Sequence, residues 1–310
     1  TRESLWPYQT EMLFTFGLLL QGTTLAQLFH WCFYGLTARA VYLLAGRFYG
    51  ESTAKAATLF FVLTPAAFAQ SGHSYVDLAL AFYTVLAVYP LLVDLETGDD
   101  RLPILSGIFC GAVSGTKYLG LGCAVTLFIL WIHSRRSNIK ALLFFAGASF
   151  LTGGIWYWRS WAVIGNPFYP FFSSVFNGNG FEFDIAANVG MEKGGLGFAK
   201  LLWNMTLYPR AFGGEMLGPL FLLFLPFLIL GVQKANKTSV YLTIFVLGYT
   251  YFLYTQSQHL RFYLSVAPFL AVGCGVAFRY LILSKSVLLK YAALTVFLLT
   301  LMIHFCIFPF

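Results

Sequence analysis

Charge is what this sequence has least of: 10% of its 310 residues are Asp, Glu, Lys or Arg, while 59% are apolar. A water-soluble globule is thereby excluded, because its surface would lack polar cover. Two-residue alternation of apolar and polar positions is also missing, which excludes a transmembrane barrel and leaves helices. No internal repeat is evident, which argues against a transporter built from duplicated halves. Cysteine is sparse and lacks metal-ligand spacing. Cys32, Cys110, Cys123, Cys274 and Cys306 all lie in apolar runs and read as buried free thiols. Neither an initiator nor a charged leader precedes the first apolar stretch, so the expectation is a chain that starts within a longer protein.

What is present is a series of long apolar runs with a strongly positive mean hydropathy. Each crossing of the hydrocarbon needs about 20 apolar residues, so the chain predicts roughly ten spans. The fold class expected is an all-α integral membrane protein, with residues 1–310 as one polytopic membrane domain. Residues 9–22 follow the aromatic cluster Trp6-Pro7-Tyr8 and are too short to span, so they read as a helix at the membrane surface. Spans are predicted at Leu25–Ala45, Ser52–Phe68, Asp77–Val93, Leu142–Ala162, Leu217–Val232, Val240–Tyr254, Phe262–Tyr280 and Leu288–Phe308. The apolar run Leu102–Ile132 is too long for one helix and reads as two short ones, broken at Ser114-Gly115-Thr116-Lys117. Two helices there bring Arg135, Arg136, Lys140, Lys234, Lys237, Arg279, Lys285 and Lys290 to the side of Arg47 and Lys55. The positive-inside rule makes that side cytoplasmic. The net charge of +7 is therefore a topology signal and not a mark of nucleic-acid binding.

Residues 164–216 form the one long polar interruption, an external loop or lid. It opens on Asn166-Pro167-Phe168-Tyr169-Pro170-Phe171, expected to be extended, and contains a predicted surface helix at Gly197–Leu207. Asn204-Met205-Thr206 is a glycosylation sequon, of a kind common by chance.

Asp77 stands out, since an ionised residue at the head of a span costs free energy and calls for a reason. It is the leading catalytic or ligand-binding candidate, against the plainer reading of a helix N-cap. On the predicted topology Lys117, Arg159, Arg210 and Arg261 fall on the same outer side. One carboxylate facing several cations is the composition of a phosphate-binding site. The plainer readings are a snorkelling Lys117 and an Arg159 that anchors the tryptophan belt. His73 and Asp77, four residues apart, would share a helix face and together could hold a divalent ion. His30, His133 and His304 receive no role. Mid-depth charge is nearly absent apart from Arg39, which favours chemistry at one face over transport.

Tyr75-Val76-Asp77-Leu78-Ala79, Gly115-Thr116-Lys117-Tyr118 and Trp158-Arg159 come in that order. They are followed by Gly165-Asn166-Pro167-Phe168-Tyr169-Pro170-Phe171, Tyr208-Pro209, Phe212-Gly213-Gly214 and Arg261-Phe262-Tyr263. Together they resemble the bacterial polytopic glycosyltransferases of the GT-C superfold, in the branch of the protein O-mannosyltransferases and the lipid A aminoarabinose transferase. The resemblance implies transfer of a sugar from a polyprenyl-phosphate donor to a lipid, glycan or protein hydroxyl, outside a bacterial inner membrane whose lipids surround the protein. It implies Asp77 as the catalytic carboxylate and Lys117, Arg159 and Arg261 as carrier-phosphate ligands, to which the predicted topology adds Arg210. Tyr75, Trp158, Phe168 and Tyr169 would line a lipid or sugar groove, with a divalent metal ion as the one cofactor to consider. The family's first span and acidic first loop have no counterpart in this sequence, and of the nearby acids neither Glu3 nor Glu11 is promoted in their place. Competing readings are a flippase for a lipid-linked sugar and an inactive truncated transferase.

Overall fold

The structure, a computed structural model, describes residues 5–135, 138–176, 189–228 and 236–307, with side chains to 302. Helix dominates throughout. The chain runs through α1 (Gln9–Gln21), α2 (Thr23–Tyr49), α3 (Glu51–Val62), α4 (Pro65–Ser71), α5 (Asp77–Thr97), α6 (Leu102–Thr116), α7 (Gly120–Ser134) and α8 (Ile139–Ile164). It continues through α9 (Gly195–Ala199), α10 (Leu201–Leu207), α11 (Leu220–Phe224), α12 (Lys237–Gln256), α13 (Ala267–Leu283) and α14 (Val287–Ile307).

Among the described residues, α5 and α8 are long and apolar enough to cross a membrane, joined by the pair α3 and α4 if that bent element counts as one span. Ten spans do not follow from length and composition, and the reason is local. α2 has 27 residues but interleaves Gln27, His30, Thr37 and Arg39 with its apolar positions. α3 and α4 meet at a 64° bend where Pro65 cannot extend the preceding helix. α6 and α7 have 15 residues each. The predicted span at 262 begins instead with a 3-10 helix, Leu260–Ser265, before α13. That at 217 holds α11 and a 3-10 turn at Leu225–Phe227, and its end lies outside the described residues.

Lateral packing centres on α5, whose Leu78, Leu80, Val85, Val88, Leu91 and Leu92 are fully enclosed. Trp131 of α7 donates to the Ser106 hydroxyl of α6, which donates to the Ala87 carbonyl of α5, so three helices share one buried hydrogen-bond chain. α6 and α8 approach until backbones nearly touch, because glycines face each other there. A Cβ at Gly111 would collide with Thr152 and lie 2.9 Å from the Gly153 nitrogen. The outward face of α8 is apolar, with Leu143, Phe150, Leu151 and Ile155 exposed, as a lipid-facing helix requires. The chain is an integral membrane protein.

Ion pairs gather at two opposite ends of the helices. At one end Arg135 makes a bidentate bond to Asp94 at 2.6 and 3.0 Å, and Arg47 pairs with Glu96 at 2.7 Å. At the other end Lys117 pairs with Asp77 at 2.8 Å. Asp77 and Asp94 lie on one helix, about 25 Å apart at 1.5 Å per residue. The polypeptide therefore goes out along α6, turns at Lys117-Tyr118-Leu119 and returns along α7, which is the two-helix reading of this stretch. The turn comes slightly later than expected, since Ser114, Gly115 and Thr116 still belong to α6.

Several local expectations fail. Cys32 is exposed on α2 while Cys110, Cys123 and Cys274 are buried; the Cys306 side chain lies outside the description. Residues 167–176 form consecutive turns in place of an extended strand, because Asn166 accepts from the Phe168 amide and donates to the Phe171 carbonyl. The surface helix at 197–207 is two short helices, α9 and α10. Asn204 of the sequon is only 7% exposed.

Candidate active site at the Asp77 end

α5 begins at Asp77, and its position is set by α2: the Leu78 amide, one of the orphan donors of a helix start, is accepted by Nε2 of the buried His30 at 3.3 Å. The N-cap position is Val76, and no side chain caps it. Asp77 is therefore not an N-cap. Its carboxylate, 2% exposed, turns to the ammonium of Lys117, which is 24% exposed and lies 3.9 Å from the centre of the Phe262 ring. A carboxylate on one flank and an aromatic face on the other fix this ammonium without consuming all three of its donors.

Arg261 completes the cationic side. Its guanidinium lies 5.0 Å from the Tyr75 ring and 5.2 Å from Phe262, while Nε is buried with no hydrogen-bond partner. Buried guanidinium donors are normally satisfied, so an unpaired one between two aromatic rings is poised for an acceptor oxygen from outside the chain.

α1 closes the same end. Thr10 and Thr116 share a hydrogen bond of 2.9 Å, and Gln9 reaches the Cα of Gly115, where a Cβ would collide with it. Glu11 follows these two contacts on α1, close enough to Lys117 and Asp77 to feel both charges, and its Oε2 is buried with no partner among the described residues. Burial pushes the Glu11 carboxyl up to about 7, with Lys117 opposing the rise and Asp77 adding to it.

A second polar group stands beside Arg261. Glu215 accepts from Gln70 of α4 at 3.1 Å and faces His259 Nδ1 at 3.6 Å. The ring of His259 lies against Gly213, where a Cβ would run into it, and the positive φ of 99° there is one that glycine adopts readily. Burial holds His259 below the usual histidine range, partly offset by Glu215. The segment is tied down further by bonds from the Met191 amide to Gln258 and from Tyr254 to the Glu192 and Gly194 carbonyls.

Of the residues singled out from sequence, Asp77, Lys117, Arg261 and Tyr75 come together here. Arg159 is half-buried on α8 and forms no hydrogen bond or ion pair with a described residue, and Arg210 is exposed on the 3-10 helix Pro209–Phe212. Phe168 packs on Tyr157 at 5.8 Å, the Tyr169 carbonyl accepts from Tyr118 at 2.6 Å, and Trp158 points outward at 56% exposure. His73 and Asp77 do not share a helix face, because α4 ends at Ser71. His73 Nδ1 contacts the Ala69 carbonyl at 2.9 Å and its ring stacks on Tyr75, while Asp77 is occupied by Lys117. That pair does not fit a divalent ion, and no cluster of three His, Cys, Asp or Glu able to hold one occurs among the described residues. Sequence assigns Glu11 and His30 no role and does not mark Gln70, Glu215 or His259. Each is a single polar residue in an ordinary context, and only packing brings them together.

No family model and no curated protein sequence matches the chain. Solved structures do. ArnT from Cupriavidus metallidurans bound to undecaprenyl phosphate superposes with a TM-score of 0.64 at 15% identity, covering 88% of this chain and 50% of that one. The apo form of the same protein gives 0.62 at 16% identity, over 88% and 49% of the two chains. The Archaeoglobus fulgidus oligosaccharyltransferase, solved in complex with Zn and sulfate, gives 0.55 at 16% identity over 96% and 44%. The chain thus spans about half the length of the proteins it matches. Its fold is the GT-C fold of these membrane transferases.

Proposed function

We propose that this chain forms the membrane portion of a glycosyltransferase that takes a sugar from a polyprenyl-phosphate carrier and attaches it to a lipid, glycan or protein hydroxyl. The observation that carries the reading is the cationic pair beside Asp77: a fixed Lys117 and an Arg261 whose buried Nε has no acceptor among the described residues. Two directed cations at the end of an apolar bundle match a phosphate attached to a long hydrocarbon. The structural likeness to a protein solved with undecaprenyl phosphate adds to this. The side free of the Arg135 and Arg279 loops is the outer or periplasmic one of a bacterial inner membrane by the positive-inside rule.

In this reading Lys117 and Arg261 receive the charge that develops on the departing phosphate, the kind of electrostatic assistance that usually dominates such steps. Asp77 holds Lys117 in place and is a positioning residue, since a carboxylate already paired to an ammonium is a weak proton acceptor. Arg210 and Arg159 are further cations for the carrier, with Phe168 and Tyr169 offering faces to sugar or prenyl carbon; of the outer segment 164–216, read as a lid, residues 177–188 lie outside the described residues.

The test is transfer of radiolabelled sugar from polyprenyl phosphate in membranes carrying the intact protein, compared with Arg261→Ala. Transfer that falls about 100-fold or more in the variant, with protein level unchanged, is the expected result. Labelled lipid crossing the bilayer with no sugar transferred would replace this reading by a flippase.

A further inference from the structure

We infer that Glu11 of α1 is the proton acceptor for the incoming hydroxyl, a role that rests on the transferase reading above. The sequence drew attention to Asp77, but Asp77 is committed to Lys117 at 2.8 Å and is 2% exposed. Two other carboxylates at this end keep a buried oxygen without a hydrogen-bond donor among the described residues, Glu11 and Glu215. Glu215 accepts from Gln70 and faces His259 at 3.6 Å, whereas Glu11 has no ion pair among the described residues. Three contacts place it: the Thr10–Thr116 hydrogen bond and the seat of Gln9 on Gly115 just before it in sequence, and Phe14 about one turn on, edge-to-face with His30 at 6.1 Å. His30 in turn fixes the start of α5. α1 is therefore docked onto both α6 and α2, its first turn against Gly115 and Thr116, which directly precede Lys117.

Within this frame Glu11 Oε2 is buried and has no donor among the described residues. An orphaned carboxylate oxygen beside a cationic phosphate site has a simple use, as the acceptor of an O–H from a bound alcohol. The charged and titratable groups that face it are Lys117 and Asp77, whose charges largely cancel in the ion pair. Desolvation outweighs the opposing hydrogen bond from Glu11's own backbone, raises Glu11 to about 7 and brings its proton affinity to the range where a general base works best at neutral pH.

The step balances without a co-reactant. The acceptor oxygen forms a bond to the anomeric carbon as its proton passes to Glu11. The bond from that carbon to the phosphate oxygen breaks, and its electron pair leaves with the polyprenyl phosphate toward Lys117 and Arg261. Glu11 then releases the proton to water.

The experiment measures sugar transfer by the intact protein in membranes from pH 5 to 9, alongside Glu11→Gln and Glu11→Asp, with undecaprenyl phosphate binding measured in parallel. Wild-type transfer should rise with pH through about 7, as the base ionises. Glu11→Gln should retain undecaprenyl phosphate binding, lose about 100-fold or more in rate and show no limb near neutrality. Glu11→Asp should regain part of the rate with the limb shifted. A Gln variant that keeps the wild-type rate and pH limb overturns the inference while leaving the transferase reading intact. A Gln variant that loses undecaprenyl phosphate binding together with rate, with Glu11→Asp equally dead, assigns Glu11 to packing of α1 and also overturns it. Absence of transfer by the wild type at every pH overturns the transferase reading and this inference with it.

Discussion

Replacing Asp77 by Asn removes one charge from an ion pair that is almost out of water. At 2.8 Å, with the effective dielectric of about 20 that suits protein sites, the Coulomb attraction is about 6 kcal/mol. Desolvation of both groups offsets much of that in the intact pair, but deleting one partner strands the other, for which about 3–5 kcal/mol is typical. The Phe262 face, 3.9 Å from the ammonium, retains only about 0.5–2 kcal/mol of the lost stabilisation. Since 1 kcal/mol shifts a melting temperature by about 2–4 °C in chains of moderate size, Asp77→Asn should lower it by on the order of 10 °C in detergent. Lys117→Met should also destabilise. The double variant should lose markedly less than the two single losses summed, because neither charge is stranded. Transfer should fail in all three, because the phosphate cation is displaced or absent. Additivity within about 0.5 kcal/mol would refute a coupled pair, and near-normal transfer by Asp77→Asn would remove it from the mechanism.

Asp94→Asn at the opposite end should cost about 3–5 kcal/mol by stranding Arg135, whose side chain is 18% exposed, while leaving sugar transfer by the surviving folded protein unchanged; thermal unfolding and transfer measured together check this. Glu11 supplies a pH dependence of stability. Its folded value is raised from 4.5 to about 7, so its contribution is complete below 4.5 and is lost as pH rises to about 7. Glu11→Gln should flatten the melting temperature across that window. At the contact between α6 and α8, Gly111→Ala drives a methyl into Thr152 and the Gly153 backbone and should cost about 1–3 kcal/mol or more. Gly147→Ala on the same α8 meets nothing within 4 Å and should be neutral or stabilising by up to about 1 kcal/mol, as paired melting curves would reveal.

Composition and periodicity carried much of the architecture, because they report a solvent and not a partner. An apolar excess with few charges determined a helical membrane protein. Charge bias resolved the run Leu102–Ile132 into two helices, which the Arg135–Asp94 and Lys117–Asp77 pairs at opposite ends support. The ordered motifs around Asp77, Lys117, Trp158 and Arg261 pointed to the GT-C fold that the superpositions display. Exact helix lengths were less legible. A hydropathy pattern does not register a 64° bend between Val62 and Pro65, or a 3-10 entry to α13.

Roles within the site were decided by tertiary structure. Sequence marked Asp77 as reactive because a charge beside a span is conspicuous, yet folding matches that charge to Lys117 and leaves an oxygen of Glu11, inconspicuous on a surface helix, buried without a hydrogen-bond partner among the described residues. The same holds for His30, Gln70, Glu215 and His259, whose neighbours are 48 to 145 residues away for His30 and Gln70. The local chain determines which segments leave water. Which polar group remains unsatisfied after they pack is a sum over contacts distant in sequence, and only the folded arrangement supplies that sum.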